Sequence, residues 1–384
     1  MKKRLAALLT ALFLLPTLAL AQEYYTLPEI KEQAKDGWHE TYIDKFGREI
    51  QVDIDVDVFG GETAPVLRVS HADYKVKPEA IDDGAQWRNE YDWYISKNNP
   101  YDTVTDVRRN GGRRTHLYRT FGEKIDLDKS YGHAYGNDLT VREMYKFALD
   151  MLKKHDLDIS NDFAFEQPQM FDVLCNVNQT TFEAVTPAFY HVNLWAELRK
   201  MPVLQHVMYS FKNQGWPLYM PQASLMMRNQ DEYRFILDTV KETEMLAEDI
   251  PLCSLEQVIE KTESWIESGK IQKVYSLQFG YALYNEPGHP KYRKDIQYAS
   301  MADYYAVPSW VLTCAFMEKP EKTFTYDYGA EHEKDPDTCE YYADAVRKLV
   351  INAQTGELMN PEDISKNGTG DADYKGFIPW DKVK

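Results

Sequence analysis

Two amphipathic segments built on the same plan constrain the fold of this chain most. The first begins at 140–143 (TVRE) and the second at 254–257 (SLEQ). Each places a hydroxyl residue three positions before Glu or Gln, which is the capping box that satisfies free N–H groups at a helix start. Helical spacing then gives each segment one largely apolar face: Val141, Met144, Tyr145, Ala148, Met151 and Leu152 in the first, and Leu255, Val258, Ile259, Thr262, Trp265 and Ile266 in the second.

Strand-like stretches follow both helices. They are 188–198 and 202–211 after the first, and 271–284, 304–316 and 348–352 after the second. A recurring helix followed by strands is the pattern of a tandem repeat. The stretch 233–249 is ambiguous, because its composition allows a helix while the repeat favours strand in its first half.

The predicted fold is therefore α+β. It consists of two tandem helix-on-antiparallel-sheet units after an N-terminal β-hairpin region. The predicted bounds are a signal peptide (1–21), the β-hairpin and polar loop region (22–137), the first unit (138–250), the second unit (251–360) and a C-terminal tail (361–384).

The hairpin prediction rests on a strictly alternating segment, 48–58 (REIQVDIDVDV). A period of two is typical of a half-buried strand. A Gly-Gly turn follows, and 65–70 returns as the second strand of the predicted hairpin. Asp53, Asp55 and Asp57 lie on the polar side, where they can bind a cation, act as an acid/base pair or form a solvated acidic face.

The N-terminus has the three parts of a secretory signal peptide. Residues 2–4 are basic, residues 5–20 are apolar, and 19–21 (ALA) fits a cleavage site. Gln22, rather than Cys, follows the predicted cut, so a lipid anchor is not expected. No later apolar stretch is long enough to span a membrane. We therefore expect a secreted or extracytoplasmic protein.

Charge argues against nucleic acid as a partner. The formal net charge is −17 at pH 7, whereas nucleic-acid binding needs a basic surface. One basic cluster is present, and it fits either an anion site or a solvated turn: Arg108, Arg109, Arg113 and Arg114.

The four cysteines permit disulfides in an exported chain, and they allow three pairings. Cys314 and Cys339 are the best predicted pair because they lie in neighbouring predicted strands. The absence of a C-x-x-C motif leaves thioredoxin-like redox chemistry and zinc ribbons without support.

No catalytic or cofactor motif is present. The histidines lack the spacing of a helix-borne zinc site, and no P-loop, G-x-S-x-G or dinucleotide fingerprint appears. Two acidic stretches, 331–337 and 367–373, fit either a cation site or solvated chain. Cys–His catalysis by distant residues stays open. No cofactor or metal is predicted.

Aromatic residues offer the one predicted binding surface. Tyr304, Tyr305 and Trp310, together with 376–380 (GFIPW), can form a surface for a glycan or a peptide. The alternative is that rings at strand spacing belong to the core.

A family resemblance arises from 348–360 (KLVINAQTGELMN), in which two short apolar runs flank a turn that Gly356 can close. It resembles the C-terminal hairpin of PepSY-type and YycI-like domains, and 305–310 (YAVPSW) looks like the strand before that hairpin. The chain is also similar to an uncharacterised family of bacterial exported proteins and lipoproteins.

The resemblance implies inhibition or regulation of exported enzymes, or a signalling partner at the membrane, and it brings no catalytic residues. The leading hypothesis is a non-catalytic binding or regulatory protein with an extracytoplasmic protein or peptide partner, perhaps engaged at an exposed sheet edge. The alternatives are a secreted hydrolase without a local motif and a glycan-binding protein.

Overall fold

A computed structural model describes residues 23–71, 85–87, 93–97, 112–120, 125–154, 163–164, 170–178, 187–207, 222–238, 240–285, 304–316, 346–359 and 376–383. The predicted signal peptide and residues 360–375 lie outside these ranges. In the described ranges the protein is α+β and dominated by strands.

The described α-helices are α1 (Leu27–Gln33), α2 (Val141–Lys154) and α3 (Leu255–Glu267). The strands are β1 (Trp38–Ile43), β2 (Glu49–Ile54), β3 (Val56–Val58), β4 (Val66–His71), β5 (Ala85–Trp87), β6 (Trp93–Lys97), β7 (Gly112–Thr120), β8 (Phe163–Ala164), β9 (Met170–Asn178), β10 (Phe189–Leu198), β11 (Met201–Val207), β12 (Gln222–Asn229), β13 (Glu232–Asp238), β14 (Val240–Ala247), β15 (Ile271–Asn285), β16 (Tyr304–Phe316) and β17 (Val346–Asn352). None of the helices in the described ranges is long and apolar enough to span a membrane.

Both predicted helices are confirmed, and so are their capping boxes. The Thr140 main-chain N–H donates to the Glu143 carboxylate (2.8 Å), and the Glu143 N–H donates to the Thr140 hydroxyl (3.2 Å). At α3, the Gln257 N–H donates to the Ser254 hydroxyl (3.1 Å). Local chemistry thus fixes where these two helices begin.

The sheet does not divide as predicted. Strands β1 and β2 form a separate pair, and the other fifteen described strands form one connected sheet. Its longest path runs β14-β4-β16-β15-β11-β10-β12-β13-β6-β5. Most pairs are antiparallel, but β15 pairs in parallel with both β3 and β11. Two separate tandem units are not confirmed, because strands from 22–137 pair with strands of both units.

The predicted hairpin between 48–58 and 65–70 is wrong in its partner. Strand β2 pairs with the upstream strand β1, while β3 pairs with β15, and β4 pairs with β14 and β16. The β1–β2 turn is built locally, because the Asp44 carboxylate accepts from the N–H groups of Phe46 (2.8 Å) and Arg48 (2.9 Å), and Gly47 adopts φ +76°. The predicted alternation itself is confirmed: Ile50, Val52 and Val56 are buried.

Strand assignments correct one further prediction and resolve one stretch that the sequence leaves ambiguous. The polar region before α2 contains β5, β6 and β7 rather than loop alone. The ambiguous stretch 233–249 is strand in both halves, as β13 and β14.

Each long helix contributes to its own buried apolar cluster. The smaller cluster joins α2 to β10, β12 and β13, with Val141, Met144, Tyr190 and Phe235 among its members. The larger cluster joins α1 and α3 to β4, β15, β16 and β17. The hairpin between β10 and β11 connects the strands of the smaller cluster with those of the larger cluster. Both residues of its turn, Arg199 and Lys200, have positive φ.

Gly280 in β15 packs so closely against β11 that there is no room for a side chain. A Cβ added there would lie 2.7 Å from Leu204 Cδ1 and 2.8 Å from the Pro202 carbonyl oxygen in β11. We expect Gly280→Ala to lower the free energy of unfolding by about 1–3 kcal/mol, because the added methyl forces the two strands apart. Urea unfolding measures this. The control is Gly61→Ala, where nothing lies within 4 Å of the added Cβ, and equal effects of the two substitutions would contradict the prediction.

Candidate functional site

The predicted aromatic surface is mostly core. Trp310 is 0% exposed and Tyr304 is 1% exposed. The ring of Trp310 packs edge-on against Phe279, with ring centres 5.2 Å apart. Tyr305 is half-buried, and the Arg68 guanidinium lies over its ring at 5.7 Å. Because β16 is covered on both faces, two of the three predicted residues are not available to a ligand.

The three cysteines in the described ranges are buried. Cys314 is buried in β16, whereas Cys339 lies outside the described residues, so their pairing stays a prediction. Cys253 is a buried free thiol, and burial raises its pKa to about 12. A thiol with so high a pKa stays protonated at neutral pH and is a poor nucleophile. Cys253 therefore does not support Cys–His catalysis.

On the acidic face of the alternating segment, Asp53 and Asp57 have side-chain partners. Asp53 Oδ1 lies 2.6 Å from His39 Nδ1, and the Asp57 carboxylate accepts from Gln278 Nε2 at 3.0 Å. Among the residues that the structure describes, no group of three or more His, Cys, Asp or Glu residues could hold a metal ion. The acidic stretches 331–337 and 367–373 lie outside the described ranges, as do Arg108 and Arg109 of the basic cluster.

The sheet edge at β14 is poorly suited to adding a strand. Its pairing with β4 has two register irregularities. Charged side chains also lie along it, and Glu242 accepts two hydrogen bonds of 2.7 Å from Arg199. Bulges and charges of this kind protect an edge against pairing with another chain. The structure thus argues against a peptide joining the sheet here.

A shallow cleft of about 300 Å³ lies beside α1 and β3. Lys31 lines it, and its ammonium donates to the carbonyls of Gly60 (2.7 Å) and Gly61 (2.8 Å). Asp55 also lines the cleft, together with small apolar side chains. Lys35 completes its charged lining.

A more specific arrangement surrounds Gln354, in the turn after β17. Gln354 is 2% exposed. Its Nε2 donates to the Ile378 carbonyl (2.6 Å) and to the Pro251 carbonyl (3.3 Å), and its Oε1 accepts from the Ile378 N–H (2.6 Å). One side chain therefore pairs with both main-chain polar groups of a residue in the C-terminal tail, as a neighbouring strand would.

The turn that presents Gln354 is rigidly built, and it confirms the hairpin predicted in 348–360. Asn352 Oδ1 accepts from the N–H groups of Gln354 (2.8 Å) and Thr355 (3.1 Å). Gly356 adopts φ +65°, and the returning Met359 N–H donates to the Val350 carbonyl (2.7 Å). The Gln354 amide is held in place by this turn.

The start of α3 fixes the other side of the turn. The Cys253 N–H donates to the Ala353 carbonyl (2.8 Å), and Lys261 Nζ donates to the Gly356 carbonyl (2.8 Å). Phe377, next to Ile378, packs against the larger apolar cluster. We call Gln354, the Pro251 carbonyl and the apolar surface under Phe377 the Gln354 site. The sequence predicts the turn and the tail separately, and no local signal joins them.

A second polar contact links neighbouring strands in the other part of the sheet. His191 Nε2 of β10 lies 3.0 Å from the Ser224 hydroxyl of β12, and both residues are half-buried. Tyr190 and Val192 belong to the apolar cluster under α2, so His191 faces the opposite side of the sheet. Asp172 of β9 is the residue paired with His191 in the strand register. No local sequence signal predicts this contact, because His191 and Ser224 lie on two separate strands.

Comparisons with known proteins assign no family. No protein-family model matches the chain, and no curated protein matches it. Among solved structures, an uncharacterized protein from Eubacterium rectale ATCC 33656 is similar at a TM-score of 0.48 and 11% sequence identity. The match covers 88% of this chain and 98% of that chain. Similarity at this level does not establish a shared fold.

Proposed function

We propose that this chain is an extracytoplasmic binding or regulatory protein that recognises the main chain of an extended peptide segment at the Gln354 site. The observation that carries the proposal is the pair of 2.6 Å hydrogen bonds between the Gln354 amide and the Ile378 main chain. The signal-like N-terminus and the resemblance to PepSY-type and YycI-like domains support the location and the regulatory role.

The chemistry of the Gln354 site suits peptide recognition. A side-chain amide that pairs with main-chain N–H and C=O supplies affinity without demanding one residue type. The apolar surface under Phe377 supplies selectivity for a bulky neighbour. No step of this proposal needs a cofactor or a metal, and the partner that it implies is a protein or peptide.

The test is capture of partners by residues 22–384, under mild cross-linking, from the producer's envelope and culture fluid. We expect a partner that is enriched by the wild-type chain, competed away by free protein and lost with Gln354→Ala. Gln51→Ala, an exposed glutamine of β2, is the matched control. A partner retained equally by both variants would place the binding surface elsewhere and contradict the proposal.

The second candidate function is hydrolysis, because of the His191–Ser224 contact. In the tautomer with its proton on Nδ1, His191 Nε2 can take the Ser224 proton as the hydroxyl oxygen attacks an acyl carbon, and can pass that proton to the departing alcohol. Water then hydrolyses the acyl-enzyme. The glycan-binding alternative has less support, since Trp310 and Tyr304 are buried.

A fluorophosphonate probe tests the hydrolase candidate. We expect Ser224 to be labelled, and His191→Ala to slow labelling by about 100-fold or more, because general-base assistance contributes about that much. Peptide mass spectrometry identifies the labelled residue. Ser264, an exposed serine whose hydroxyl donates to the Lys261 carbonyl at 2.7 Å, is the internal control. Labelling of Ser224 no faster than that of Ser264 would remove the candidate.

A further inference from the structure

We infer that residues 376–380 (GFIPW) are a built-in ligand of the Gln354 site, and that a partner carrying a similar bulky-apolar–aliphatic–Pro–aromatic segment binds by displacing them. This inference rests on the proposed function, and it names the class of partner and the way in which access to the site is controlled.

Two hydrogen bonds at Ile378 hold the tail against the Gln354 site. Among the residues that the structure describes, its hydrogen bonds to the rest of the chain are those between Ile378 and Gln354. The other main-chain bonds of the tail are internal, from the N–H groups of Lys382 and Val383 to the carbonyls of Pro379 and Trp380. Displacement of the tail therefore requires breaking the two Ile378 bonds and exposing the partly buried side chains of residues 377–380.

The tail is more exposed to solvent than the residues on which it lies. Gly376 is exposed, and Phe377 through Trp380 are each only partly buried. Gln354 beneath them is 2% exposed. If the tail leaves, the buried Gln354 amide loses its two hydrogen bonds to Ile378, which is unfavourable. The site therefore favours an occupied state, but the occupant itself lies at the surface.

Pro379 limits what the site can recognise. Proline has no N–H, so the tail cannot extend as a hydrogen-bonded strand beyond Ile378. It also biases the preceding residue toward extended backbone, which prepares Ile378 to present both polar groups to Gln354. Trp380 then starts a short 3-10 turn that ends the segment. A competing peptide with this order of residues carries the same preorganisation.

A partner must compete with the tail for the site. The tail and the Gln354 site belong to the same chain, whereas a partner must reach the site from solution. A partner must therefore bind more tightly than the tail, or bring further contacts, in order to open the site.

The test uses the full chain with a site-specific protease sequence placed at 366–371. After cleavage, we expect the tail peptide to remain bound, and a labelled peptide of residues 374–384 to replace it at one site per chain. Gln354→Ala should weaken the labelled peptide about 10–30-fold, since each lost hydrogen bond is worth about 1 kcal/mol. Gln51→Ala and a scrambled peptide are the controls. A tail peptide that excess labelled peptide cannot replace, or equal affinity in both variants, would overturn the inference.

Hydrogen exchange on the intact chain keeps the test decisive if the cleaved protein unfolds. The Ile378 amide should exchange far faster than amides at the centre of β16, whereas equal protection would show a permanent structural contact. The outcomes also separate this inference from the proposed function. If the labelled peptide replaces the chain's own tail but no partner is captured, only the inference is supported. If a Gln354-dependent partner is captured but the tail cannot be replaced, only the proposed function is supported.

Discussion

Replacing Trp310 by alanine is expected to lower the free energy of unfolding by about 3–5 kcal/mol. The ring is fully buried in β16 and packs edge-on against Phe279. Its removal leaves a cavity where β15 and β16 pair, in the larger apolar cluster. Urea unfolding at pH 7 measures the loss.

Two other substitutions sharpen this prediction. Within the described residues, the Trp310 indole N–H has no hydrogen-bond partner. Trp310→Phe should therefore cost much less than alanine, because it removes an unsatisfied donor and keeps most of the ring. Tyr305→Ala, at the half-buried neighbour, should cost less than Trp310→Ala. If the Trp310→Ala chain were as stable as wild type, Trp310 would not be a core residue, and it would again be a candidate for the predicted binding surface.

Lys348→Met is expected to raise the free energy of unfolding at pH 7, by up to about 3 kcal/mol. Lys348 lies in β17, where its ammonium donates to the Leu204 carbonyl at 3.3 Å. Burial lowers the pKa of its ammonium to about 8, from an ordinary 10.5. At pH 7 the folded chain therefore carries a charge that is disfavoured there, and methionine removes that cost while it keeps the apolar stem.

The same pKa fixes the sign of the pH dependence. Between pH 8 and 10.5 the unfolded chain binds a proton at Lys348 that the folded chain does not, so the stability of the wild type rises with pH across this window. Below pH 8 both states are protonated, and the cost is constant. Lys348→Met should lack this rise, whereas Lys273→Met, at an exposed lysine of β15, should keep it. Equal slopes in all three chains, measured by unfolding at pH 7 and pH 10, would contradict the prediction.

Local features of the fold could be predicted because their causes are local. The capping boxes at Thr140 and Ser254 place the helix starts through contacts within one turn. The alternation in 48–58 identifies the buried side of β2 and β3, and Gly356 identifies the turn after β17. Each of these is fixed by residues a few positions apart.

Strand partners could not be predicted in the same way. The alternating segment ends its first strand at Ile54 and begins a second at Val56, and the two strands have different partners. Nothing in 48–58 distinguishes the nearby 65–70 from the true partners, β1 and β15. Pairing is decided by burial over the whole sheet, which a single sequence does not display.

The candidate sites depend on the same long-range information. Gln354 lies in a predicted turn and Ile378 in a predicted tail, but only the folded chain brings them together. His191 and Ser224 meet because β10 pairs with β12. The predicted surface of Tyr304 and Trp310 failed for a related reason, since periodicity shows which residues share a face and not what covers that face.

The pairing of β3 with β15 sets a lower limit on when the chain can complete its fold during synthesis. Asp57 and Gln278, whose side chains meet at 3.0 Å, are 221 residues apart. At about 5–20 residues per second, a ribosome needs roughly 10–40 s to make that interval. For this time β3 lacks its partner, and Val56, which is buried in the folded chain, is exposed. We therefore expect the nascent chain to be a client for a holding chaperone until its sheet can close.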